Sequence, residues 1–199
     1  MKEGQTTTRR LVVALSGASA PQLGISLLRS LSTVSTVETH LIVSASAHRT
    51  IELETEMCVE AVEALADVVY DVSDYAAAVS SGSFLTIGMV VIPCSMSTLG
   101  SIANGISTSL VTRAADVTLK ERRPLVLVAR ETPLNLIHLR NMVAVTEAGA
   151  TVLPPVPAFY HGPDSIAELL AQTVGKVLDQ FDIEHDLFNR WATPQEDRR

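Results

Sequence analysis

Short runs of apolar residues recur along the chain, and each run ends at small or polar residues. Five of these runs have the length and composition of buried strands: residues 11–15, 38–43, 89–92, 125–129 and 150–153. Fully apolar runs of this length are typical of parallel strands that are covered on both faces. Because the runs alternate with helical patterns, the sequence predicts one α/β domain with a Rossmann-like or flavodoxin-like parallel sheet and helices on both faces.

The segments between the strands carry helical periodicity. We predict helices over residues 21–31, 47–53, 58–66, 94–103, 136–148 and 165–181, and a further helix that ends near Lys120. Ser73 is a candidate N-cap for a short helix through Val79. Thr132 and Pro133 have the residue types of an N-cap and of a first helical position.

Small and hydroxyl-bearing residues follow three of the strands. The first strand is followed by Gly17, Ala18 and Ser19, the second by Ser44, and the third by residues 94–98, Cys-Ser-Met-Ser-Thr. Parallel strands in an open sheet bind ligands at their carboxyl ends, and the free N–H groups at helix starts bind anions. The pattern therefore favours a nucleotide-like ligand across this edge, although the glycine fingerprint of dinucleotide-binding folds is incomplete.

Charged residues surround the strand at 125–129. Arg113, Asp116 and Lys120 share one stripe of the helix before it, and Arg130 and Glu131 lie at its carboxyl tip. One interpretation is that these cations converge on an anionic ligand. The other is that the helix end is a solvated face, which is the commoner use of such residues.

The next three residues, Glu121, Arg122 and Arg123, are assigned to a solvated face. Cys94 is interpreted as a core thiol rather than a nucleophile, because no histidine partner is matched to it. His40 lies within a strand and is interpreted as structural. The five histidines show no ligand spacing, so no metal is expected.

Composition narrows the function classes. The 199-residue chain has a net charge of -7, which argues against general nucleic-acid binding. Its hydrophobic content of 47% and mean hydropathy of +0.27 predict subunit interfaces, and no apolar run reaches the length of a membrane span. Two cysteines and an N-terminus without a signal-peptide core favour the cytoplasm.

The two ends of the chain differ from the domain between them. Residues 1–9 are polar and are predicted to be a flexible N-terminus. Residues 184–199 form a polar tail that carries Phe188 and Trp191. Isolated apolar residues in such a tail predict docking, here on a neighbouring subunit.

Several segments together resemble the UbiX-like flavin prenyltransferases. In chain order they are Gly17-Ala18-Ser19, Pro93-Cys94-Ser95-Met96, Arg113-Ala114-Ala115-Asp116-Val117, Leu119-Lys120-Glu121-Arg122, Arg130-Glu131-Thr132-Pro133 and Pro157-Ala158-Phe159-Tyr160. The similarity extends from Arg10 to Trp191. It implies an enzyme that joins a dimethylallyl group from dimethylallyl phosphate to N5 and C6 of reduced FMN, without a metal. The product, prenylated FMN, would serve UbiD-type decarboxylases.

The resemblance also implies roles for individual residues. The positions that correspond to flavin contacts are Gly17, Ala18, Ser19, Ser44, Ser95, Met96, Thr98 and Arg130. Those that correspond to donor-phosphate contacts are Arg113, Lys120, Tyr160 and Lys176. Glu131 falls at the acid/base position, and Glu131, Lys120 and Ser19 are the implied catalytic residues. The family further implies a dodecamer of trimers with flavin sites at subunit contacts.

The chain departs from the family pattern at the edge of the implied pocket. Ala20 and Pro21 follow Ser19 where glycine is common, Leu23 replaces tyrosine, and Lys176 replaces an arginine that could form a bidentate fork. Two alternatives remain open: a non-catalytic flavin-binding accessory subunit of a decarboxylase, and a flavin-dependent cysteine decarboxylase. The Pro-Ala-Phe-Tyr segment disfavours the second.

Overall fold

The computed structural model describes residues 9–191 and contains one six-stranded parallel sheet. Its strands are β1 Arg9–Leu15, β2 Val37–Val43, β3 Val68–Tyr70, β4 Gly88–Cys94, β5 Leu125–Ala129 and β6 Thr151–Val152. Its helices are α1 Gln22–Leu31, α2 Ala45–Glu54, α3 Val59–Glu63, α4 Met96–Ala103, α5 Leu110–Lys120, α6 Leu136–Glu147 and α7 Ile166–Asp179. The predicted α/β class and parallel sheet are confirmed. The flexible N-terminus predicted for residues 1–9 lies almost entirely outside the described residues.

The strand order is β3-β2-β1-β4-β5-β6, with every pair parallel. The chain builds outward from β1 in one direction and then from β4 in the other. The boundary between β1 and β4 is therefore the topological switch point, where open α/β sheets bind ligands beyond the carboxyl ends of their strands.

Helices cover both faces of the sheet because successive strand residues point to opposite sides. Leu11 and Val13 of β1 belong to the core under α1 and α7. Val12 and Ala14 belong to the core shared with α4 and α5. All four side chains are 0–2% exposed, which is the pattern expected of a strand covered twice.

Two local predictions are wrong, and one strand was not predicted. The three-residue β3 was not predicted, since Val68–Tyr70 is too short to give a strand pattern. The helix predicted from Ser73 to Val79 is absent, and a single 3₁₀ turn, Ala78–Ser80, stands near its end. The N-cap of α6 is Asn135 rather than Thr132, because the Asn135 side chain accepts the backbone N–H of His138 at 2.9 Å.

Candidate functional site

A buried serine joins the tips of the two strands at the switch point. Ser16 is 1% exposed; its Oγ donates to the carbonyl of Pro93 at 2.9 Å and accepts the N–H of Ser95 at 2.8 Å. The tips of β1 and β4 are thereby fixed side by side. The loops that follow them share the carboxyl edge of the sheet.

The tips of β1 and β2 approach each other closely at Gly17. A Cβ atom added to Gly17 would lie 2.4 Å from the Cβ of Ser46, so a larger residue would separate the two loops. Ser44 caps α2 by accepting the N–H of Ala47 at 3.1 Å. The absence of a side chain at Gly17 therefore lets the loops after β1 and β2 pack against each other at this edge.

The N-terminus of α4 presents hydroxyl and N–H groups at the same edge. Ser95 is its N-cap: the Oγ accepts the N–H of Thr98 at 3.2 Å and donates to the Thr98 hydroxyl at 3.1 Å. The backbone N–H of Arg130 binds the carbonyl of Cys94 at 3.1 Å, which places Arg130 beside this helix start. A helix N-terminus with a neighbouring guanidinium is suited to an anionic group.

The structure thus brings the predicted flavin positions onto four adjacent strand tips. These residues are Gly17, Ala18, Ser19, Ser44, Ser95, Met96, Thr98 and Arg130. Glu131 lies next to them, exposed, with its carboxylate accepting the N–H of Thr132 at 3.0 Å.

Glu54, the last residue of α2, belongs to this edge but was missed in the sequence. Its Oε2 accepts hydrogen bonds from Ser19 Oγ and from the N–H of Ala20, both at 2.9 Å. The contact joins residues 35 positions apart, so no local motif reveals it. The available signal was a carboxylate at the end of the helix that follows the Ser44 tip.

The cations of α5 face a different loop. Arg113 donates from Nη1 to Asp116 at 2.8 Å and from Nε to the carbonyl of Ser80 at 3.3 Å. Lys120 pairs with Glu121 close to Gly82. The hydrogen bond and charge of Lys120 lower the pKa of Glu121.

Within one chain, Lys120 and Arg130 lie at opposite ends of β5. Lys120 precedes the strand, and Arg130 follows it. Five residues at about 3.3 Å each separate the two ends by roughly 16 Å. A single chain therefore does not bring Lys120 and the Arg130–Glu131 pair onto one ligand.

Arg123 corrects the interpretation of residues 121–123 as a solvated face. Its guanidinium donates to the carbonyls of Phe84 and Gly82, both at 2.7 Å, and it is only partly exposed. Arg123 therefore stabilises the loop at residues 80–84, in which the carbonyl of Ser80 accepts a hydrogen bond from Arg113. Arg122, by contrast, is exposed as predicted.

Tyr160 and Lys176 do come together. Both line a cavity of about 310 Å³ that also includes Gln172. The amine of Lys176 lies 3.2 Å from Asp179, and the ring of Tyr160 meets that of Trp191 edge-on with centroids 5.8 Å apart. A phenol and an ammonium group on one cavity wall can bind a phosphate.

The described part of the tail packs on α7 of its own chain. Asp179 accepts hydrogen bonds from Arg190 at 2.7 Å and contacts His185 at 3.2 Å. Its hydrogen bond with Arg190 lowers the pKa of Asp179 to about 2. Phe188 packs against Gly175, while Trp191 is 76% exposed. Docking of the tail on a neighbouring subunit stays a prediction, and residues 192–199 lie outside the described part.

Cys94 and His40 are packed as core residues. Burial raises the pKa of the Cys94 thiol to about 12. Burial lowers the pKa of His40, whose Nδ1 lies 2.9 Å from the hydroxyl of Tyr70. Between residues 9 and 191, no group of three or more potential ligands could hold a metal ion. No helix in that range is both long and apolar enough to cross a membrane.

Comparison with known proteins shows which family the chain resembles. Residues 1–181 match the family model described as Flavoprotein. The flavin prenyltransferase UbiX of Escherichia coli K12 is 54% identical over 185 residues, which cover 92% of this chain and 98% of that protein.

Two solved structures share the fold. AnUbiX (PadA1) in complex with FMN and dimethylallyl pyrophosphate has a TM-score of 0.91 and 53% identity, covering 94% of this chain and 99% of its own. A dodecameric FMN-dependent UbiX-like decarboxylase from Escherichia coli O157:H7 has a TM-score of 0.90 and 49% identity, covering 92% and 100%.

Proposed function

The chain belongs to the family of UbiX flavin prenyltransferases, and from that premise we propose that it transfers a dimethylallyl group from dimethylallyl phosphate to N5 and C6 of reduced FMN. The observation that carries the proposal is the carboxyl edge at the switch point. It combines two helix N-termini, a close-approach glycine and a carboxylate–hydroxyl pair. A relative with 53% identity is complexed with FMN and dimethylallyl pyrophosphate.

The edge suits FMN in shape and charge. The N-terminus of α4, with Ser95, Thr98 and the neighbouring Arg130, offers N–H, hydroxyl and guanidinium donors for the FMN phosphate. Gly17 lets the loops after β1 and β2 come together, so that residues of both loops can meet one ligand. Ser19 would then lie beside the flavin.

We assign the donor phosphate to Arg113, Lys120, Tyr160 and Lys176. Cleavage of an allylic phosphate develops negative charge on the leaving group, and fixed cations and a phenol stabilise that charge. Since Lys120 lies a strand length from Arg130 in one chain, Lys120 would come from a neighbouring subunit. The oligomer would then be required for catalysis, and a dodecamer of trimers is the assembly we expect.

Ring closure requires a proton to leave C6 of the flavin, and carboxylates at the edge can accept it. Glu131 is exposed next to Arg130 and is assigned as an acid/base residue. Glu54 is held 2.9 Å from the hydroxyl of Ser19, and this pair is a second route for proton transfer. The geometry thus supports Ser19 as a catalytic residue through a partner that the sequence did not reveal.

The product would be delivered to a UbiD-type decarboxylase. The two free cysteines support a reducing compartment, the cytoplasm, for this protein. A non-catalytic flavin carrier would have no use for the donor-phosphate residues. A cysteine decarboxylase is disfavoured by the Pro-Ala-Phe-Tyr segment at residues 157–160.

The test is mass spectrometry of the flavin. The protein is incubated anaerobically with reduced FMN and dimethylallyl phosphate, with a parallel sample that contains the diphosphate. We expect FMN heavier by one dimethylallyl-derived unit in at least one sample, and none when the donor is omitted. FMN that is bound but recovered unmodified from both samples would support the carrier and contradict the proposal.

A further inference from the structure

Both the side chain and the backbone carbonyl of Glu54 accept hydrogen bonds from the segment that follows β1. Its carboxylate accepts Ser19 Oγ and the N–H of Ala20, and its backbone carbonyl accepts Nε2 of Gln22 at 2.7 Å. Ser19, Ala20 and Gln22 lie within four residues, so one short segment fixes both the side chain and the main chain of Glu54.

The Gln22 contact satisfies a carbonyl at a helix end. The last carbonyls of a helix have no partner within the helix, and Glu54 is the final residue of α2. The C-cap residue Thr55 is extended, and its N–H donates to the carbonyl of Ile51. Gln22, the first residue of α1, therefore supplies the partner of Glu54 from another element.

The left-handed conformation of Ala20 directs its N–H group toward Glu54. Ala20 has a φ of +74°, a left-handed value that residues other than glycine rarely adopt. In that conformation its N–H points to the carboxylate of Glu54. The Gln22 side chain extends the same contact to the carbonyl, and both belong to the segment in which this chain departs from its family's first turn.

Resting on the proposed function, we infer that Gln22 is a positioning residue that orients Glu54 for proton transfer with Ser19. Gln22 itself does not touch the reacting atoms. Its hydrogen bond fixes the end of α2, and through it the distance between the carboxylate of Glu54 and the hydroxyl of Ser19. A proton-transfer group is effective only within hydrogen-bond reach of its partner, so a small displacement lowers the rate.

The test compares Gln22→Met, which keeps length but cannot donate, with Gln22→Lys, which retains a donor. We expect Gln22→Met to lower kcat about five-fold, the effect of one neutral hydrogen bond, with the KM for FMN nearly unchanged. The pH profile of kcat/KM should shift, because the setting of Glu54 changes. Gln22→Lys should recover most of the rate. Gln180→Met, a glutamine at the end of α7 without a side-chain hydrogen bond among the described residues, is the matched control.

A double-mutant cycle separates positioning from mere stability. If Gln22 acts through Glu54, Gln22→Met should cause little further loss in a Glu54→Gln background. Equal losses in both backgrounds, or a fall in Tm with an unchanged pH profile, would overturn the inference. If Gln22→Met does not fold, Gln22→Glu serves as the non-donating variant. If the wild-type protein prenylates FMN and the Gln22 variants do so at the same rate, only the inference about Gln22 is refuted. If the wild-type protein does not prenylate FMN, the proposed function and this inference are both refuted.

Discussion

Mixing two inactive variants would show whether the α5 cations serve a neighbouring subunit. Lys120→Ala removes a donor-phosphate cation, and Arg130→Glu reverses the charge at the flavin edge. Each variant alone should lose about 100-fold or more in prenyl transfer, the order expected for one transition-state charge contact. Lys120→Ala should leave FMN affinity nearly intact, since we assign the flavin phosphate to Arg130 instead.

The expected rescue follows from the separation of the two residues. Lys120 and Arg130 stand at opposite ends of β5, and we propose that each site takes Arg130 from one subunit and Lys120 from another. In oligomers assembled from equal amounts of the two variants, about one half of the flavin edges and one half of the neighbouring lysines are intact, which leaves about one quarter of the sites complete.

The assay is the rate of prenylated FMN formation by oligomers from cells that co-express both variants with different affinity tags. Oligomers of the separately purified variants, mixed after assembly, are the control and should stay inactive. Recovery near one quarter of the wild-type rate supports shared sites. Recovery no greater than that of the single variants would refute the reasoning, because it would mean that one chain supplies both residues.

Three further predictions concern single residues. Arg122 has a φ of +56° and is exposed after α5, so Arg122→Gly should stabilise the protein by about 0.5–1 kcal/mol, measured by urea unfolding; an unchanged or lower midpoint would contradict this. Asp179 has a lowered folded pKa of about 2, so its stabilising effect is complete above the unfolded value near 3.9 and is lost as pH falls from about 4 to 2. Asp179→Asn should therefore flatten the acid limb of stability against pH, and an unaltered limb would argue against the Arg190 contact. Cys58 is exposed and Cys94 buried with a pKa of about 12, so a maleimide should label one thiol in the native protein and two after unfolding.

The sheet could be predicted because β1, β4 and β5 are apolar over five or more residues. The tips of β1, β2 and β4 could also be assigned, since Ser44 and Ser95 are residue types that cap helices. The three-residue β3 could not, because so short a segment takes its conformation from pairing with β2 rather than from its own pattern.

Non-local contacts account for most of what the sequence did not reveal. Arg123 resembled its exposed neighbours, yet it donates to the carbonyl of Phe84, 39 positions away. Glu54 likewise meets Ser19 across 35 positions. Thr132 has the residue type of an N-cap, but Asn135 is closer to the first turn of α6, and its side chain accepts the N–H of His138. For Arg123 and Glu54 the decisive partner is set by the fold, whereas the Asn135 contact is local and competes with a second capping residue type nearby.

The proposed transfer to N5 and C6 of FMN is tested most directly by determining which atoms are bonded in the flavin product. The wild-type protein would be given reduced FMN and dimethylallyl phosphate labelled with ¹³C, and the extracted flavin examined by NMR while released phosphate is counted. We expect labelled carbons bonded to both N5 and C6, with one phosphate released for each flavin converted. Unlabelled flavin, or flavin labelled at N5 alone with no ring closure, would contradict it.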